Sequence, residues 1–146
     1  MGRPPAGDAP PATDGSQTRI QLCGELILEL AGERVEDRLR GRQGKLLFAY
    51  LVLGRGRWSG RDELLEAVWP DAARARSADL STLLSRIRAA LPPGSIEGRG
   101  ELRLALPDGA WVDVEAAAEA ASRADAAMAR GEWRDAWGPA HAALAI

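Results

Sequence analysis

The sequence predicts an α+β fold in which a small N-terminal sheet, three helices and a β-hairpin follow one another between residues 20 and 106. Apolar residues alternate with polar ones at both ends of this range, as in half-buried strands. In the three segments between, they recur at the spacing of amphipathic helices. Two more helical segments follow. The order is that of a winged helix-turn-helix with a helical pair added to it.

The composition describes a globular cytoplasmic protein. Apolar residues make up 46% of the 146 residues and charged residues 27%, which argues against a disordered chain. The single cysteine, Cys23, cannot form an internal disulfide, and no apolar run reaches the roughly 18 residues of a membrane helix. Residues 1–18 are rich in proline, glycine and alanine and lack the apolar core of a signal peptide, which predicts a disordered leader.

The net charge of −2 conceals a basic central segment. Residues 38–104 carry 13 basic and 7 acidic side chains, a net charge of +6, whereas residues 1–37 and 105–146 each carry a net charge of −4. Every basic residue except Lys45 is an arginine, whose guanidinium can donate two parallel hydrogen bonds to phosphate or guanine. The charge pattern therefore favours nucleic acid as the partner of the central segment.

The first strands and the first two helices follow from apolar spacing and turn residues. Apolar side chains alternate over residues 20–30 around Gly24, which predicts two strands of a small antiparallel sheet, and Val35 is expected to begin a third. Residues 43–53 are dense in large apolar side chains and predict a buried helix. Ser59 is the expected N-cap of the second helix.

The third helix, residues 77–91, carries the most informative chemistry. Its apolar stripe is expected to face the core and consists of Leu80, Leu84, Ile87 and Leu91. The opposite face bears small hydroxyls, which allow close approach to base edges, and arginine, which reaches guanine or phosphate. We predict that this helix lies in the major groove of DNA, with Thr82, Ser85 and Arg86 at base edges, Ser81 on the flank, and Arg76 and Arg88 on phosphates. The alternative is an ordinary solvated helix face.

The predicted hairpin, residues 96–106, follows the Pro-Pro-Gly end of this helix. Its apolar residues alternate around Gly98-Arg99-Gly100, so Arg99 is expected at the tip, where it can enter a minor groove or meet a phosphate. The alternative is a glycine hairpin without a ligand. Residues 19–107 are accordingly predicted to form a winged-helix DNA-binding domain.

Residues 108–146 predict two further helices. Residues 114–129 are alanine-rich, and Gly131 separates them from a second helix. One face of that helix carries Trp133, Trp137, Ala140 and Leu144. Two helices of this size bury two tryptophans poorly. We therefore interpret them as the first pair of a truncated TPR-like regulatory domain, or as a pair that packs on the preceding domain.

Signatures of catalysis are weak. Residues 41–46 have the wrong glycine spacing for a phosphate-binding loop, and Leu46 stands where Ser or Thr would meet magnesium. His141 has no second histidine or cysteine near it in the sequence, and no nucleophile–histidine–acid arrangement is suggested. We predict no enzymatic activity, no cofactor and no metal site.

Several segments carry a resemblance to a known family: Leu22, Gly24 and Leu26, GRQGKLL at 41–47, SGRDELLEAVW at 59–69, SRIRAAL at 85–91 and GEW at 131–133. Together they resemble the SARP family (antibiotic-regulatory-protein-type bacterial transcriptional activators). In this family an OmpR-like winged helix precedes a bacterial transcriptional activation domain. The resemblance implies sequence-specific binding to double-stranded DNA and recruitment of RNA polymerase, and it leaves a dimer on DNA open.

A competing hypothesis is a degenerate winged helix that binds a protein within a larger regulator. Leu83 stands where the resembling helices often carry a polar, DNA-facing residue, and Asp79 adds a negative charge near that face. Leu102 stands where the wing usually has an aromatic residue. Salt-dependent binding to duplex DNA would separate the two hypotheses.

Overall fold

The computed structural model describes residues 17–71 and 76–146, so the predicted leader, residues 1–18, falls almost entirely outside the described part. The strands are β1 (Arg19–Gln21), β2 (Ile27–Leu30), β3 (Glu33–Arg34), β4 (Ser59–Gly60), β5 (Ile96–Gly98), β6 (Glu101–Leu104) and β7 (Trp111–Val112). The α-helices are α1 (Gly41–Leu53), α2 (Arg61–Val68), α3 (Ser77–Ala90), α4 (Asp113–Ala129) and α5 (Trp133–Ala145), and a 3-10 helix (Glu36–Arg38) precedes α1. Within these residues, every helix is too short or too polar to span a bilayer.

The first sheet has the strand order β3-β2-β1-β7. β1 and β2 are antiparallel, with Ile20 opposite Leu28, and a turn at Ala31 and Gly32 with positive φ leads into β3. Val35 begins no third strand; its N–H donates to the carbonyl of Leu28 at 2.8 Å. The N-terminal strands pair antiparallel as predicted, but β7 joins the sheet parallel to β1, which the prediction of an antiparallel sheet missed. A strand of two residues is too short to show alternation, and only its tertiary pairing defines it.

Helices α1, α2 and α3 share one apolar core with the second sheet, whose order is β4-β6-β5. The largest fully buried side chains of this part include Phe48, Leu64, Leu80, Leu84, Ile87, Leu102 and Leu104. Burial of these side chains holds one side of α3 against α1, α2 and the 3-10 helix. The other side of α3 is thereby directed to solvent.

The start of α2 differs from the expected N-cap. Ser59 is buried in β4, opposite Leu102, and Gly60 precedes the helix without a side-chain cap. The serine hydroxyl therefore does not cap this helix. Ser59 lies in a strand because β4 pairs with β6, which is far away in the sequence.

Helices α4 and α5 pack against each other, and α4 also contacts the first sheet. The buried residues of this pair are mostly small: Ala120, Ala124, Ala127 and Ala136. The predicted apolar face of α5 is instead turned to solvent, with Trp133 67% and Trp137 73% exposed. Alanines allow the helices a close approach, so the larger side chains lie outside.

Candidate nucleic-acid interface

The residues predicted to meet DNA on α3 lie on its solvent side. Ser81, Thr82, Ser85, Arg86 and Arg88 are all exposed, opposite the buried leucines and isoleucine of the same helix. The apolar periodicity therefore placed this face correctly, and the face is free to meet a ligand.

Leu83 does not belong to this face. It is 8% exposed and lies in the core cluster, where a Cβ added to Gly44 of α1 would be 3.9 Å from its side chain. At 100° per residue, Leu83 points to the same half of the helix as Leu80 and Ile87. The prediction that Leu83 lies on the DNA-facing side was wrong. Leu83 therefore no longer supports the competing protein-binding hypothesis.

Two hydroxyls of α3 bond back to the helix. The Ser81 hydroxyl donates to the Ser77 carbonyl at 3.2 Å, and the Thr82 hydroxyl donates to the Ala78 carbonyl at 3.1 Å. Ser81 also accepts a hydrogen bond of 2.7 Å from the guanidinium of Arg61, the first residue of α2. A hydroxyl whose proton is engaged can still accept, so Thr82 offers an acceptor to a base amino group.

Arg76 and Asp79 form an ion pair at the start of α3, with 3.0 Å between Nη1 and Oδ2. Both side chains are about half exposed, and such surface pairs are worth little free energy in water. A hollow of about 400 Å³ opens beside them, and Thr82, Leu83 and Arg86 are among the residues that line it. Asp79 therefore lies on the predicted face, where Arg76 partly neutralises it.

The β5–β6 hairpin is tied to α3. The Arg88 guanidinium donates to the Gly98 carbonyl at 3.1 Å. Gly98 has φ +86°, and a Cβ added there would lie 2.0 Å from the carbonyl oxygen of Glu101, so no other residue fits without movement. Arg99 follows at the exposed tip, and the described part of the chain shows no hydrogen bond or ion pair for it.

A stacked arginine supports the middle of the same hairpin. The Arg103 guanidinium lies 4.7 Å from the centre of the Trp58 ring and donates to the Glu97 carboxylate at 3.0 Å through Nε. These contacts join β5, β6 and the loop before β4. Contacts with α3 and with Trp58 thus brace the hairpin at two neighbouring pairs near its tip.

Three arginines near α3, unlike Arg76 and Arg99, were not predicted as site residues from the sequence: Arg38, Arg40 and Arg61. Arg38 and Arg40, which flank the end of the 3-10 helix, share a groove of about 540 Å³ with Arg86 of α3. Arg61 contacts Ser81 from the other side. The basic segment charge was the only sequence signal for these residues, because no periodicity marks which loop arginines approach a distant helix.

A carboxylate at the start of α2 is held by two partners. Tyr50 Oη donates to Glu63 Oε1 at 2.6 Å, and Arg57 Nη2 donates to the same oxygen at 2.6 Å. These two hydrogen bonds lower the pKa of Glu63 below its ordinary value of 4.5, and the one from Arg57 has the larger effect. The Arg57 side chain, although 54% exposed, is therefore paired with a carboxylate of the same chain.

No three histidine, cysteine or acidic side chains in the described part of the chain come together as a metal site would require.

Comparison with known proteins supports the fold. No protein-family profile matches the chain, and no curated protein matches it. The structure is similar to that of Mycobacterium tuberculosis EmbR in complex with a low affinity phosphopeptide, with a TM-score of 0.68 and 25% sequence identity. The similarity covers 88% of this chain and 35% of that one, so the chain spans about a third of the length of EmbR. Over the covered residues the chain shares the fold of EmbR, a SARP-family regulator.

Proposed function

We propose that the chain is the DNA-binding part of a SARP-type transcriptional regulator, with residues 19–107 forming a winged helix. The observation that supports this most is the two-sided character of α3. One side is buried in the core, and the other presents Thr82, Ser85 and Arg86 to solvent beside a braced hairpin. The structural similarity to EmbR favours a regulator role.

In this proposal α3 enters the major groove of duplex DNA. Arg86 meets a guanine edge, while Thr82 and Ser85 accept hydrogen bonds from base amino groups. Arg76 and Arg88 meet phosphates and position the helix without reading sequence. Arg99 reaches the neighbouring minor groove or its phosphates from the hairpin tip. Because Arg88 also holds Gly98, it couples the position of the hairpin to that of the helix.

Arg86→Ala tests the role of the helix face. Duplexes selected from a randomised pool by the wild-type chain are compared with scrambled duplexes by fluorescence anisotropy. We expect Arg86→Ala to weaken binding to the selected duplex by about 1–3 kcal/mol, or about 5- to 150-fold, and to reduce discrimination. Arg88→Ala should weaken both duplexes by a similar factor and lower the salt slope by about one.

Arg123→Ala is the matched control for both changes, because Arg123 is an exposed arginine on α4. Binding by Arg86→Ala and Arg88→Ala that equals binding by this control would contradict the proposed roles. A wild-type chain that binds no duplex with a salt-dependent affinity would contradict the function itself.

A second candidate function rests on α5. Its exposed Trp133, Trp137 and Leu144 form an apolar face such as protein partners cover. We propose that α4 and α5 begin a TPR-like regulatory domain. RNA polymerase, the partner implied by the family resemblance, and a dimer on DNA remain proposals for this region. A protein-binding module without DNA affinity would show no steep salt slope with any duplex.

A further inference from the structure

A groove beside α3 joins arginines from two parts of the chain. The arginine groove, about 540 Å³, is lined by Asp37, Arg38, Arg40, Arg86, Ala89 and Ala90. The first three residues come from the 3-10 helix and the residues after it, and the last three belong to α3. The alanines make one wall shallow, so a ligand can approach the guanidinium groups without a bulky side chain in its path.

The arginines of this groove are available to a ligand. Arg38 donates a long hydrogen bond of 3.3 Å to Glu33, and both side chains are more than half exposed, so this pair is weak in water. The described part of the chain shows no hydrogen bond or ion pair for the Arg40 or Arg86 side chains. Asp37 is the single acid among the lining residues, which leaves a net positive charge.

Arg86 connects the groove to the face of α3. It lines both the arginine groove and the neighbouring hollow that Thr82 also lines. A polyanion that meets Arg86 on the base-reading side therefore meets Arg38 and Arg40 next. A DNA strand supplies such a polyanion, because its phosphates repeat along the edge of the major groove that a helix occupies.

We infer that Arg38 and Arg40 bind the DNA backbone in the arginine groove, next to Arg86 on its base edge, and so extend the interface beyond α3. This inference rests on the proposed DNA-binding function. The contacts of Arg38 and Arg40 would be sequence-independent, since they reach phosphates and no base edges. Arginine suits the task because its planar guanidinium donates two hydrogen bonds to one phosphate.

Arg40→Ala is the principal test, measured by fluorescence anisotropy on selected and scrambled duplexes over a range of salt concentrations. Losing one phosphate contact should reduce the slope of log affinity against log salt by about 0.9, which is about an eight-fold loss at 0.1 M salt. The loss should be equal for both duplexes. Arg38→Ala should show a smaller loss, because Glu33 already shares that guanidinium. Arg40→Lys should keep the slope, since it keeps the charge.

Arg123→Ala is again the matched control, and thermal unfolding should show unchanged stability for all four variants because the replaced side chains are exposed. Wild-type binding with a steep salt slope that Arg40→Ala leaves unchanged would overturn the arginine groove and leave the proposed function standing. A loss confined to the selected duplex would also overturn it, since phosphates carry no sequence. If the wild-type chain binds no duplex, both proposals fall together.

Discussion

The three-helix region (α1 to α3) and the α4–α5 pair differ in which side chains they bury between their helices. In the first, large side chains fill the core and the polar face of α3 meets solvent. In the second, alanines form the contact and the large apolar side chains of α5 lie outside. An apolar stripe therefore shows which residues share a helix face, while the size of the residues at the contact decides which face is buried.

The largest expected effect is the difference in stability between the same Leu→Ala substitution at a buried and at an exposed position. Leu84 is 1% exposed in the three-helix core, and Leu144 is 89% exposed on α5. Leu84→Ala should lower the free energy of unfolding by about 2–5 kcal/mol, because it removes buried methyl groups and leaves a cavity. Leu144→Ala should change it by less than about 0.5 kcal/mol. Urea denaturation measures both. Equal losses of unfolding free energy would show that the α5 face is buried, and would contradict the difference between the two regions.

A smaller effect is expected where the α4–α5 pair is joined to the first sheet. Asp113, 1% exposed at the start of α4, accepts backbone hydrogen bonds of 2.8 Å from Leu22 and 2.7 Å from Cys23, just after β1. Asp113→Asn replaces one acceptor oxygen with a donor group, so we expect a loss of about 1.5–3 kcal/mol in the free energy of unfolding. The same change at Asp125, an exposed residue of α4, serves as the control and should have little effect. Similar stability of the two variants would show that this joint does not hold the pair to the sheet.

The smallest expected effect is on the stability of the three-helix region at acidic pH. The pKa of Glu63 is lowered in the folded state by Arg57 and Tyr50. Its contribution is therefore present above the unfolded pKa, near 4.5, and is lost as pH falls through the lower folded pKa. Glu63→Gln should flatten the decline of the thermal midpoint between neutral pH and about pH 3. Calorimetry over that range checks it, with Glu66→Gln as the control on the same helix. An unchanged pH profile would remove Glu63 from the acid response.

Much of α3 was predictable because helical periodicity is a local property. The buried stripe of Leu80, Leu84 and Ile87 and the exposed face of Thr82 and Arg86 follow from spacing alone. The hairpin around Gly98 was predictable for a similar reason: alternating apolar residues flank a glycine that the turn requires.

Other features depended on residues far apart in the chain. Positional analogy with related helices put Leu83 on the wrong side, although its helical angle agreed with the core. Ser59 satisfies the local rule for an N-cap, yet pairing with Leu102 places it in a strand. Arg40 carries no pattern at all, and its nearness to Arg86 emerges only when the 3-10 helix packs on α3.

The sequence by itself determined which residues form helices and hairpin, which helix faces are apolar, and that the central segment is basic. Only the tertiary structure decided that β7 lies parallel to β1, that α5 turns its tryptophans outward, and that Arg38 and Arg40 join Arg86 in one groove. The physical reason is that periodicity and turn chemistry act over a few residues, where each side chain sees its own neighbours. Strand pairing, helix docking and clustering of charge depend on the free energy of burying a shared core, which no single segment contains.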